Sequence, residues 1–115
     1  MKGFIILLVV IGLFLLSQSI YAHPPFDIYI SFDKATKMIN AQIVHKVSNL
    51  KTHYIIKVYI SINGKEIIQH QISRQDNNEE QKVAYLIPDV KNNDVISVEA
   101  YCNISGKLKK DIVVR

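Results

Sequence analysis

From Asp27 onward, apolar residues recur at every second position, in runs cut at short intervals by turn residues. That period belongs to strands with one face in a core and one in water; a helix would need a spacing near 3.6. Ile28, Ile30 and Phe32 alternate with Asp27, Tyr29 and Ser31, and Asp33-Lys34-Ala35-Thr36 turns the chain. Ile39, Ala41, Ile43, His45 and Val47 share one face of the next strand, opposite Asn40, Gln42 and Lys46. After the loop at 48–52, a third strand carries Tyr54, Ile56, Val58, Ile60 and Ile62 on its apolar side and His53, Lys57 and Ser61 on the other. Asn63-Gly64 reads as a type I′ hairpin, which needs positive φ at both positions.

The pattern continues to the end. The return strand covers 65–73, a polar loop covers 74–80, and the next strand runs from Val83 to Ile87 and stops at Pro88. Asn92-Asn93-Asp94 turns into 95–102, where Ile96, Val98, Ala100 and Cys102 share a face. Ile104-Ser105-Gly106 turns again, and 108–114 closes the sheet, with Lys107, Lys109 and Lys110 expected on its solvent face. About seven short strands, with no helical period after residue 22, predict an all-β chain folded as an immunoglobulin-like antiparallel β-sandwich.

The first 22 residues differ in kind. Met1-Lys2-Gly3 leads into an uncharged apolar run from Phe4 to Leu16, then Ser17 to Ala22, then His23-Pro24-Pro25. A basic start, a short apolar stretch and a small residue before a polar break form the layout of a signal peptide. The run falls short of the ~20 apolar residues of a spanning helix. The expected domains are therefore a signal helix at 1–22, or a membrane anchor if uncleaved, and a sandwich at 23–115. The expected location is secreted, periplasmic or in the cell envelope. The formal charge is +4, with Lys2 in the leader and the remaining basic residues scattered. A nucleic-acid surface would need them clustered.

Cys102 is the single cysteine. Alone it makes no intramolecular disulfide, which leaves an inert core side chain, an intermolecular bridge or a working thiolate. Thiolate and imidazole together bind borderline transition metals. His45 ends one strand and His53 begins the next across a short loop, Cys102 ends the strand at 95–102, and His23 precedes the first. If these strand ends meet, His23, His45, His53 and Cys102 converge on one ion. The competing readings are a small buried hydrophobe at Cys102, a core histidine at His45 and a loose terminus at His23. His70 reads as a solvated histidine. Asn103-Ile104-Ser105 matches a glycosylation sequon but fits a turn better.

The residues His45, His53-Tyr54-Ile55, Tyr101-Cys102-Asn103 and Gly106 resemble the iron domain of the superoxide reductase (desulfoferrodoxin/neelaredoxin) family. Its motifs run Lys-His-Val-Pro, His-Pro, His-Tyr-Ile and Cys-Asn-x-His-Gly, and His23-Pro24, His45, His53-Tyr54-Ile55 and Cys102 to Gly106 fall in that order. The resemblance implies an immunoglobulin-like sandwich holding mononuclear iron by histidines and one axial cysteine. It implies superoxide or another small redox molecule as ligand, and an external electron donor if the site turns over. Ser105 stands where the fourth histidine belongs, Lys46 stands where proline usually follows His45, and the family's Glu-Lys pair is absent.

Cleavage after Ala22 would make His23 the amino terminus, able to chelate through amine and ring together, a geometry that suits Cu(II) as an alternative to iron. Three functions follow: a superoxide-reducing iron site, a metal-binding module without turnover, and a metal-free interaction module of the cell envelope.

Overall fold

The computed structural model describes residues 23–115; the expected signal segment lies outside the described residues. Seven strands form: β1 (Asp27–Asp33), β2 (Met38–Val44), β3 (Ile55–Ile62), β4 (Lys65–Gln71), β5 (Glu80–Leu86), β6 (Val95–Cys102) and β7 (Lys107–Val113). They pair antiparallel in two sheets, β1-β2-β5 and β4-β3-β6-β7. The all-β sandwich read from the alternation is the fold. Ile28, Ile39, Ala41, Ile43 and Val83 from one sheet face Ile55, Val58, Ile60, Ile96, Val98 and Ala100 from the other in a single apolar core. Burial of that surface is the main favourable term for a domain with no disulfide.

The turns form for local reasons. Asp33 Oδ1 accepts from Ala35 N at 2.8 Å, a side chain standing in for a backbone turn bond. Asn63 and Gly64 have φ of 51° and 82°, as the type I′ hairpin requires. Asn63 Oδ1 also accepts from Val95 N at 2.8 Å, tying the hairpin to the start of β6.

Three expectations need correction or refinement. The third strand was expected to bury Ile56, but Ile55, Val58 and Ile60 are the fully buried residues. A bulge between Ile55 and Lys57 slips the register by one and reverses the facing of everything before it. His53 thus has the phase of core residue Ile55, not of Lys57 and Ser61. Second, β5 begins at Glu80, three residues before Val83, because Asn77 Oδ1 accepts from Glu79 N and Glu80 N at 2.9 and 3.0 Å and starts the strand. Third, Lys107, Lys109 and Lys110 are all exposed as expected, but Lys110 shares the phase of Leu108 and Ile112 and reaches Asp27 Oδ1 of β1 at 3.3 Å, closing one edge of the sandwich.

One end of the sandwich gathers four connections. The lead-in at 23–26 enters β1, 45–54 crosses from β2 to β3, 72–79 crosses from β4 to β5, and 103–106 joins β6 to β7.

Candidate metal centre

His23, His45 and His53 meet at that end. Each offers a ring nitrogen, and the three nitrogens lie within 4.8 Å of one another. The ring centroids are 4.9, 4.9 and 4.8 Å apart, and the planes are inclined at 57°, 62° and 87°. The rings are tilted or edge-to-face instead of stacked. His45 is fully buried and the other two are half-buried.

The backbone explains the meeting. Inward alternation continues past the end of β2, so His45 and Val47 stay on the core face. Loop residues 78–79 hold them there, with His45 N donating to Glu79 O at 2.9 Å and Val47 N to Asn78 O at 2.8 Å. His53 N donates to Asn49 O at 2.9 Å, closing the crossover as a tight turn, and the β3 bulge sets the facing of its ring.

His23 is placed by its neighbour. Gly106 has φ of +86°, and a Cβ there would meet Pro24 Cβ at 2.8 Å. The β6–β7 turn therefore supports the lead-in only because residue 106 lacks a side chain.

The hydrogen bonds state which nitrogens are free. His45 Nδ1 lies 2.8 Å from Gln75 Oε1, an acceptor, so Nδ1 carries the proton. Its Nε2 then has a lone pair, 3.3 Å from the carbonyl oxygen of His23, another acceptor. His23 Nδ1 lies 3.1 Å from Pro24 O, which likewise leaves Nε2 unprotonated in the neutral ring. His53 Nε2 is buried with no hydrogen-bond partner among the described residues.

Burial holds His45 below the usual histidine pKa, against the raising effect of its Gln75 bond. His53 is held low by burial and then by the two neighbouring imidazoles. A neutral imidazole with one nitrogen donating and the other carrying a free lone pair is the state in which histidine ligates a metal, and His45 is in it. The orphaned His53 nitrogen and the facing of His45 Nε2 toward an acceptor are both relieved by a cation there. The residues present fit a metal ion.

Cys102 is not part of that trio among the described residues. It is buried at the end of β6, opposite Ile55 in register. Asn103, its neighbour, ties the strands: its Oδ1 accepts from Tyr54 N at 2.8 Å, its Nδ2 donates to Thr52 O at 2.9 Å, and its N donates to Tyr54 O at 2.9 Å. The Asn103 amide is thus occupied in structure, which favours the turn reading of the sequon, and Ser105 is an exposed turn residue. His70 stands elsewhere, its Nδ1 2.7 Å from Tyr85 Oη.

A solvent-open pocket of about 720 Å³ borders the trio, lined by His23 and His53 together with Lys46, Asn49, Thr52 and Glu79. Lys46 and Glu79 pair loosely at 3.9 Å on its rim, both well exposed.

Sequence reasoning missed Gln75. It lies in the segment expected to be a polar loop, yet it is fully buried. Nothing in its neighbourhood, Arg74-Gln75-Asp76-Asn77, marks one polar residue as different from the rest.

No family model and no curated protein matches the sequence. Solved structures do match in shape. The superoxide reductase (1Fe-SOR) from Giardia intestinalis aligns with a TM-score of 0.60 at 16% identity, over 80% of this chain and 100% of that one. A hypothetical protein from Pyrococcus horikoshii aligns at 0.53 and 13% identity, over 84% of this chain and 92% of that one. At such identities the likeness is one of fold. The chain has a superoxide-reductase-like β-sandwich with a cluster of three histidines at one end.

Proposed function

We propose that residues 23–115 form a mononuclear metal-binding domain of superoxide reductase type, with iron as the metal and His23, His45 and His53 as ligands. The observation that carries this reading is the convergence of three imidazoles whose nitrogens lie within 4.8 Å of one another, one with an orphaned buried nitrogen. Its setting on a fold shared with the Giardia superoxide reductase supports the choice of iron. Cys102 is proposed as the thiolate that completes the set, on the strand paired with the start of β3. Thiolate with imidazole suits a borderline transition metal. Copper, expected only if His23 is the amino terminus, draws no support from the trio or the fold.

Ferrous iron held there would give one electron to superoxide, which with two protons leaves as hydrogen peroxide, while an external donor restores the electron. The chain's own contribution is to hold three imidazoles at fixed angles, bury one side of the centre in the core, and leave His23 and His53 open to the pocket. Lys46 brings a positive charge to that opening, partly offset by Glu79. Ser105 stands where the resemblance expects a fourth histidine, so metal binding and turnover are tested separately. Export to the envelope belongs to the same proposal and rests on the sequence of residues 1–22 alone.

The test reconstitutes the full chain anaerobically with ferrous iron and mixes it with superoxide. The proposal expects superoxide consumption and a visible band in the oxidised protein that is lost in Cys102→Ser. Iron bound without consumption leaves a metal-binding module. No metal bound leaves the metal-free interaction module.

A further inference from the structure

Gln75 is a fully buried amide at the centre of four hydrogen bonds. Its Oε1 lies 2.8 Å from His45 Nδ1 and accepts from Ile55 N at 3.3 Å. Its Nε2 donates to His45 O at 2.7 Å and to Asn77 O at 2.9 Å. Its backbone N donates to Leu50 O at 3.1 Å, anchoring the residue to the β2–β3 crossover.

Only one amide orientation satisfies these partners. Reversed, the NH₂ would face the Ile55 N–H and the oxygen would face two carbonyl oxygens. The amide is therefore pinned by three backbone groups that do not change protonation, and its oxygen is what His45 meets. The other ring nitrogen also faces an oxygen, His23 O, but at 3.3 Å against 2.8 Å, so the closer, pinned acceptor at Nδ1 selects the Nδ1–H tautomer and leaves the lone pair on Nε2.

Resting on the metal-site reading above, we propose that Gln75 is the positioning residue of this centre, fixing His45 in the Nδ1–H tautomer and turning its Nε2 lone pair toward His23 and His53. Gln75 touches neither the ion nor a substrate; it acts through His45. The same side chain fastens the end of β2, the start of β3 and the β4–β5 crossover, so the ring orientation and the local backbone are set together. Groups that orient a ligating histidine through its other nitrogen typically change metal affinity 10–100-fold when removed.

The test has two arms. In the metal-free full chain at neutral pH, long-range ¹H–¹⁵N correlation of the histidine rings reports each tautomer. The expected result is a protonated Nδ1 and an unprotonated Nε2 for His45. An Nε2–H tautomer there overturns the proposal, whatever the metal does. In the second arm, Gln75→Met, similar in length and without the amide, is compared with wild type by ferrous titration. The expected result is a folded protein whose His45 signals show mixed tautomers and whose iron affinity falls roughly 10–100-fold. A folded Gln75→Met with wild-type affinity overturns the positioning role. If Gln75→Met does not fold, the wild-type tautomer decides. A wild type with the expected tautomer but no metal binding would sink the metal-site reading and leave the tautomer assignment standing, so the two failures are distinguishable.

Discussion

The imidazole rings of His45 and His53 meet edge-on at 87°, with centroids 4.8 Å apart, across a crossover that carries the chain from one sheet to the other. Their bonding differs sharply. His45 is matched at Nδ1 by Gln75, whereas His53 Nε2 is buried and unmatched among the described residues.

That difference predicts unequal effects of similar substitutions on the metal-free protein. In His45→Leu, Gln75 Oε1 keeps only the 3.3 Å bond from Ile55 N. A loss of about 1–3 kcal/mol is expected, the cost of stranding buried polar groups. His53→Leu removes an orphaned nitrogen, so stability should be unchanged or raised by up to about 1 kcal/mol. Urea unfolding of both variants in a chelator measures the contrast. Equal destabilisation would show that His53 has a structural partner of its own.

Among the described residues, the two glycines with positive φ form a matched pair. Gly64 has φ of +82° with nothing within 4 Å of a built Cβ, while Gly106 has φ of +86° and its Cβ would meet Pro24. Gly64→Ala should cost about 1–2 kcal/mol of backbone strain and leave metal affinity alone. Gly106→Ala carries similar strain and also displaces Pro24, so it should weaken metal binding by moving His23. Parallel unfolding curves and metal titrations check this. Equal metal affinity in the two variants would mean that His23 is not positioned through Pro24.

At the far end of the sandwich, Asp94 Oδ1 accepts from Asn63 Nδ2 at 3.0 Å and Oδ2 accepts from Lys91 N at 3.0 Å. These bonds hold its carboxyl below the usual carboxylate pKa, the Asn63 bond contributing most. A carboxylate with a depressed folded-state pKa stabilises the fold above its unfolded pKa of about 3.9, and that stability is lost as pH falls through the lower folded value. Thermal unfolding of wild type should therefore fall more steeply below pH ~4 than that of Asp94→Asn. Identical slopes would count against the assignment.

The strands were legible because a sandwich writes its core as a period of two. Ile39, Ala41 and Ile43, or Ile96, Val98 and Ala100, leave no other reading. The Asn63-Gly64 hairpin was legible because few residue pairs accept positive φ twice. The bulge between Ile55 and Lys57 was not, since one inserted residue in Tyr54-Ile55-Ile56 leaves the apolar pattern almost unchanged while reversing the facing of His53. The histidines could be named because imidazole is scarce and each sits beside a strand end. Gln75 could not, because its role comes from depth and from partners on three separate segments, and a short polar loop records neither.

The most direct measurement is anaerobic ferrous titration of the full chain, followed by elemental analysis, for wild type and His53→Leu. The account predicts one iron per chain in wild type, and its loss in a His53→Leu protein that unfolds no more easily than wild type. A wild type that binds no metal, or a His53→Leu variant that binds it as tightly, would contradict a centre built on these three histidines.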